Sequence, residues 1–347
     1  MLLATVLRVC LRMRVSPLPT GIMPQPLSRS PRGFAAFGLS SLSRCCSAAG
    51  FLVRGLWPCL WLACCVLLFS PTAASALAVR AAILMNASTG QIIYEKNAAA
   101  PIPPASLAKV MNMFLAMDAV AGNKTSLAQR VRISADVART GGSSMHLRQG
   151  DSVSLRALLT GMAVASGNDA ARAVARVISG TERRHVSRMN ARAKALGMRR
   201  TAFKNVTGLP AGGQTTCARD MLLMARAYLR RHPQAAVFHN TRTLRHNART
   251  LYNTNKLLGA VPGVNGLKTG YTGASGYNLI VTAQRGKVRL IGVVMGGHTS
   301  AARDNAARRL LEAGFQYPTD TKALGRSLDG PRKKARTQKP RRQRARQ

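Results

Sequence analysis

The chain has 347 residues, a hydrophobic fraction of 46%, and 52 basic residues against 11 acidic ones, a formal net charge of +41. Length and apolar content allow one or two globular domains, and a single cysteine beyond residue 65 excludes both an internal disulfide in the body and a cysteine metal cluster. So large a charge implies an anionic partner (nucleic acid, an acidic membrane surface or an anionic polymer), set against the plainer reading of a surface that is merely kept soluble.

Residues 1–78 form an extension that carries Cys10, Cys45, Cys46, Cys59, Cys64 and Cys65 and an apolar run from Phe51 to Phe69. Arg44 and Arg54 precede or open the run, and Ala76-Leu77-Ala78 closes it in an Ala-x-Ala pattern. This is the layout of a secretory signal cleaved after Ala78, with an uncleaved membrane anchor as the rival reading. The fifty residues before Phe51 fit neither a domain nor a compact signal, so Met23 or a later codon is an alternative start.

The body is expected over residues 79–317. It keeps 34 basic and nine acidic residues, a net +25, so the charge is spread through it. Ala81–Met85 and Gln91–Tyr94 flank Asn86-Ala87-Ser88-Thr89-Gly90 as strand, turn and strand. Pro101, Pro103 and Pro104 hold the chain extended up to Ser106, where a helix starts and runs to about Ala121 with a methionine-rich core stripe. Helices follow over Leu155–Ala165, Asp169–Ile178, Glu182–Leu196 and Asp220–Leu229. Strands are predicted at Gly266–Thr272, Tyr277–Gln284 and Lys287–Met295, with a tight turn at Arg285-Gly286, and a final helix over Arg303–Ala313. Strands at both ends with helices between define an α+β fold, one antiparallel sheet whose two chain halves meet, plus a helical insertion. Residues 318–347 are polar and basic and are expected to be a disordered tail.

Three triplets carry the chemistry. Ser106-Leu107-Ala108-Lys109 puts a hydroxyl and an amine on one helix face. Burial of Lys109 on that apolar face disfavours its charged form and makes it a base for the hydroxyl. Ser166-Gly167-Asn168 falls at a break between helices, and Lys268-Thr269-Gly270 lies on a strand, where the glycine leaves room for an extended peptide. Ser-x-x-Lys, Ser-x-Asn and Lys-Thr-Gly in this order form the signature of penicillin-binding proteins and class A β-lactamases.

Further runs widen the match: Ala105-Ser106-Leu107-Ala108-Lys109-Val110-Met111, Gly142-Ser143-Ser144-Met145, Ser166-Gly167-Asn168-Asp169-Ala170, Phe203-Lys204-Asn205 with Gly208-Leu209, Ala218-Arg219-Asp220-Met221, Asn253-Thr254-Asn255, and Gly266 to Thr272. Over about Ala81 to Phe315 the chain resembles the serine-type D-alanyl-D-alanine carboxypeptidases, the low-molecular-weight penicillin-binding proteins, with Ala108 standing where the family has Thr. The resemblance implies a five-stranded antiparallel sheet flanked by helices with a helical subdomain, as in β-lactamases and transpeptidases. It implies Ser106 as the acylated nucleophile, Lys109 as its base, and Ser166 as the relay of a proton to the leaving D-alanine. Asn168 would bind substrate backbone and steady Lys109, and Lys268 and Thr269 would hold the terminal carboxylate or tune the field. Gly270 gives the strand edge room, and the backbone N–H groups of Ser106 and Tyr271 would form the oxyanion hole. No metal or organic cofactor is implied.

The implied substrates are muramyl peptides of peptidoglycan and the covalent inhibitors are β-lactams, with the protein exported to the periplasm or the outer face of the cytoplasmic membrane. Larger family members add a β-rich domain and an amphipathic anchor; with thirty residues after Tyr317, attachment is expected to fall to the arginine-rich tail on anionic membrane phosphates. Three alternatives stand beside the carboxypeptidase. A D,D-endopeptidase would use the same residues. A class A β-lactamase needs a glutamate for deacylation; Glu182, the one glutamate between Ser166 and Lys268, reads as an exposed helix residue. A polyanion-binding envelope protein would use the charge alone, with nucleic acid disfavoured as its partner. Neither a Gly-x-Ser-x-Gly elbow nor zinc-hydrolase spacing among the six histidines occurs.

Overall fold

The computed structural model describes residues 76–329. The signal, alternative start and residues 330–347 lie outside the described residues.

Strand β1 (Ala81–Asn86) turns into β2 (Gln91–Lys96). Asn86 builds the turn: its Oδ1 accepts from Ser88 N at 3.1 Å, and Gly90 closes it at φ +82°, a conformation that disfavours a side chain. A short 3₁₀ turn, Ala105–Leu107, leads into helix α1 (Ala108–Ala121). Next come β3 (Arg130–Arg132), α2 (Ala135–Ala138), β4 (Ser152–Ser154), and the helices α3 (Leu155–Val164), α4 (Asn168–Ser179), α5 (Glu182–Ala195) and α6 (Ala218–Arg231). Helix α7 (Ala236–Asn240), the ribbon strands β5 (Thr243–His246) and β6 (Arg249–Tyr252), and the long strands β7 (Val264–Thr272), β8 (Gly276–Arg285) and β9 (Val288–Gly297) follow. Helices α8 (Ser300–Gln316) and α9 (Thr321–Asp329) end the described chain.

The main sheet has the order β2-β1-β9-β8-β7, antiparallel throughout. The N-terminal hairpin thus joins the C-terminal strands across β1–β9, as the sequence pattern predicts. All six residues of β1 are buried because both faces of the sheet are covered. Ile83, Met85 and Val293 pack toward Met111, Phe114 and Leu158 in a core shared with the helices. Leu84, Leu279 and Val281 pack the other way, against Leu310, Leu311 and Leu324. The methionines of α1 are core, as predicted.

Two expectations change. Residues 318–347 were expected to lack structure, yet Thr321–Asp329 is a helix. Leu324 and Leu328, one turn apart, bury in the second core, and Tyr94 donates its hydroxyl to Asp329 at 2.6 Å. Two leucines and an aromatic partner offset the ordering entropy that composition alone sets against them. Glu182, expected to be an exposed helix residue, is half-buried and binds Arg172 at 2.8 Å and Arg176 at 2.9 Å, locking α4 to α5.

Candidate active site

The turn that carries Ser106 is wedged between two glycines. A Cβ on Gly270 of β7 would lie 3.0 Å from Ser106 N, and one on Gly208 would lie 1.8 Å from Ala105 O. Strand β7 and the Asn205–Gly208 turn therefore clamp the Ser106 segment at van der Waals contact. Asn205 holds that turn, its Oδ1 accepting from Gly208 N at 2.7 Å.

Lys109 is completely buried on the first turn of α1. Its Nζ lies 2.8 Å from Ser106 Oγ and 2.7 Å from the Thr207 carbonyl oxygen. Burial, and then the positive charge of Lys268, hold its pKa well below the ordinary lysine value; the charge of Asp169 works the other way. A carbonyl can only accept, so one amine N–H goes to Thr207. In the neutral amine the lone pair is then free to face the Ser106 hydroxyl, the geometry of a serine activated by its neighbour.

Ser166 sits between α3 and α4 at φ +60° and is 5% exposed. Asn168 opens α4; its Nδ2 donates to Gly141 O at 2.8 Å and its backbone N–H to Ser143 O at 2.7 Å. Asp169, fully buried, accepts from Met145 N at 2.9 Å, Leu147 N at 3.1 Å and Ser144 Oγ at 2.6 Å. The acid thus fixes the 141–147 loop against α4, a role that the motif runs at Gly142 and Ser166 do not reveal separately. One implied contact is absent. Asn168 does not bind Lys109; the Thr207 carbonyl takes that place, an acceptor that no side-chain pattern announces. Among the described residues no hydrogen bond joins Ser166 to Ser106 or Lys109.

The opposite wall is β7. Lys268 is 1% exposed, and its Nζ donates to Thr269 O at 2.9 Å. Burial, helped by Arg303, lowers its pKa to about 7. Arg303 of α8, itself 5% exposed, is the site residue that the sequence motifs miss. Thr269 Oγ1 lies 2.7 Å from Thr254 Oγ1, and Thr254 N–H donates to Val164 O at 3.1 Å, so one residue bridges β7 to the end of α3 beside Ser166. Tyr271 stays 55% exposed, its ring 4.2 Å from that of Tyr277. Ser106, Lys109, Lys268 and Gly270 therefore converge, and Asn168 and Ser166 share the α3–α4 corner.

A sheet flanked by helices, with a serine and a buried lysine facing a Lys-Thr-Gly strand, defines the serine penicillin-binding class. The D-alanyl-D-alanine carboxypeptidase family model matches residues 69–299, and the chain belongs to that family. It is 40% identical over 246 residues to D-alanyl-D-alanine carboxypeptidase DacF of Bacillus subtilis, covering 69% of this chain and 63% of the relative. It is 37% identical over 265 residues to DacC of Escherichia coli, covering 72% and 66%. The match spans a little under two thirds of each relative's own length. Among solved structures, Escherichia coli penicillin binding protein 6B is 36% identical with a TM-score of 0.67, covering 72% of this chain and 80% of that one. Penicillin-Binding Protein D2 of Listeria monocytogenes, in its ampicillin-bound form, is 32% identical with a TM-score of 0.63, covering 69% and 98%.

Proposed function

We propose that this chain is an exported serine D-Ala-D-Ala carboxypeptidase that removes the terminal D-alanine from peptidoglycan stem peptides through an acyl-enzyme on Ser106. The observation that carries the reading is the 2.8 Å contact between Ser106 Oγ and the fully buried Lys109 amine. Neutral Lys109 takes the hydroxyl proton as Oγ attacks the carbonyl carbon of the penultimate D-alanine. The backbone N–H groups of Ser106 and Tyr271 receive the oxyanion. The peptide C–N bond breaks and the leaving amine takes a proton from the Ser166 hydroxyl, which regains one from protonated Lys109. Water then hydrolyses the ester and frees the shortened peptide.

Substrate binding follows from the same wall residues. An extended peptide lies along β7, Asn168 pairs with its backbone, and its terminal carboxylate is drawn to Lys268 and Thr269. β-Lactams acylate the same serine and leave slowly, because Glu182 is tied to Arg172 and Arg176 rather than free to activate a deacylating water. Export rests on the apolar run before Ala78. Among the described residues no helix is long and apolar enough to cross a membrane, and attachment through the basic tail remains part of the proposal.

The test is to incubate the purified protein with a fluorescent penicillin and with a D-Ala-D-Ala pentapeptide. A covalent adduct that is lost in Ser106→Ala, with one D-alanine released per peptide, is the expected result. Release from a crosslinked dimer but not from the pentapeptide would make it an endopeptidase; no adduct at all would reject the mechanism.

A further inference from the structure

Toward the start of β7, away from Gly270 and the Ser106 turn, a groove of about 680 Å³ opens between α6, the β1–β2 turn and the start of β9. Its volume is that of a small-ligand site, and none of Ser106, Lys109, Ser166, Asn168 or Lys268 lines it. Three arginines do: Arg226 and Arg230, one helical turn apart on α6, and Arg289 at the start of β9. The β1–β2 turn draws them together. Gly90 lets Arg226 lie against it, since a Cβ there would meet the guanidinium at 2.6 Å. Ser88 Oγ, two residues earlier, accepts from Arg289 N at 3.0 Å.

No carboxylate lines this groove. The chain has eleven acidic residues, and all of them fall within the described part. Each is engaged elsewhere. Glu95 binds Arg219, Asp136 and Glu182 bind Arg172 and Arg176, Glu312 binds Arg285, and Asp304 binds Arg303. Asp118 holds Arg192, Arg231 and His232. Asp151 bonds to Asn247, Asp169 to the 144–147 loop, Asp220 to Thr201, Asp320 to Ala323 N, and Asp329 to Tyr94. No ion pair or side-chain hydrogen bond engages the guanidinium of Arg226, Arg230 or Arg289 among the described residues, although Arg226 is half-buried. Fifteen guanidinium N–H donors in a concave site therefore have no acidic side chain of this chain to neutralise them.

We propose that this groove is a second ligand site that binds a phosphate group, carried either by a soluble phosphate ester or by a phospholipid head. Three planar guanidiniums suit a dianion with several acceptor oxygens better than a single carboxylate.

The test uses the full chain and two probes, inorganic pyrophosphate and phosphatidylglycerol vesicles. Binding is followed by calorimetry and by sedimentation with vesicles. The variant Arg226→Gln/Arg230→Gln/Arg289→Gln is compared with Arg183→Gln/Arg184→Gln/Arg199→Gln, which removes equal charge outside the groove. The expected result is a loss of at least tenfold in pyrophosphate affinity in the first variant alone, with penicillin acylation of Ser106 unchanged in both. Parallel loss of vesicle binding in the first variant makes a lipid head the source; retained vesicle binding makes it a soluble phosphate. Equal loss in both triple variants, or none in either, overturns the proposal. Acylation is a separate readout, so failure here and failure of the serine mechanism are told apart.

Discussion

The two walls of the cleft each bury a lysine, and the burials differ in kind. On the helix wall, Lys109 gives one N–H to a carbonyl and turns toward a hydroxyl. On the strand wall, Lys268 is spent on its own neighbouring carbonyl and sits near Arg303. Both are driven toward neutrality by lost hydration, but Lys109 also feels the charge of Lys268. The proposed mechanism divides the labour accordingly: the Lys109 amine, held low by burial and by its charged neighbour, would serve as the base, while Lys268 stays a cation up to about neutral pH.

Removing the helix-wall amine is the severest way to break that contrast. Lys109→Met should lower the rate of penicillin acylation by about 10²–10⁴-fold while Ser106 remains in place, read by stopped-flow with a fluorescent penicillin. The strand wall is probed by pH. Lys268 loses its charge as pH rises through about 7, so acylation should decline above that point as the carboxylate anchor fades. Lys268→Arg, charged at any working pH, should hold the plateau to about pH 9; the same decline in that variant would assign the alkaline limb elsewhere.

The clamp between the walls comes next. Gly208→Ala forces a Cβ into Ala105 O at a positive φ, and should cost about 2 kcal/mol or more by urea denaturation and slow acylation with it. The smallest effect on chemistry belongs to the sheet's other face. Leu324→Ala should lose about 2 kcal/mol or more of stability and leave acylation per folded molecule unchanged, which separates fold support from cleft chemistry.

The sequence carried the five long strands and the main helices because their apolar periods are unbroken, and it carried the site because Ser106, Lys109 and Lys268 are side chains in fixed motifs. It did not carry β3–β4 or β5–β6, strands of three or four residues such as Arg130-Val131-Arg132, too short for their alternation to stand out. Helix α9 was hidden by its basic surroundings, its two leucines being too few to stand out until Tyr94 and α8 receive them. Thr207 escaped notice because its contribution is a backbone oxygen. Arg303 lies in no motif, and only the packing of α8 on the sheet brings it near Lys268.

The pairing of β1 with β9, Ala81 opposite Met295, has a consequence for biogenesis. A chain made from its amino end must carry a finished helical layer and an orphaned hairpin for some two hundred residues before the central seam can zip. Such distant pairing makes folding slow and leaves apolar strand edges uncovered meanwhile. The Ser106 turn meets its Lys-Thr-Gly neighbour only with those last strands, so a nascent or truncated chain lacks the wall that packs against it.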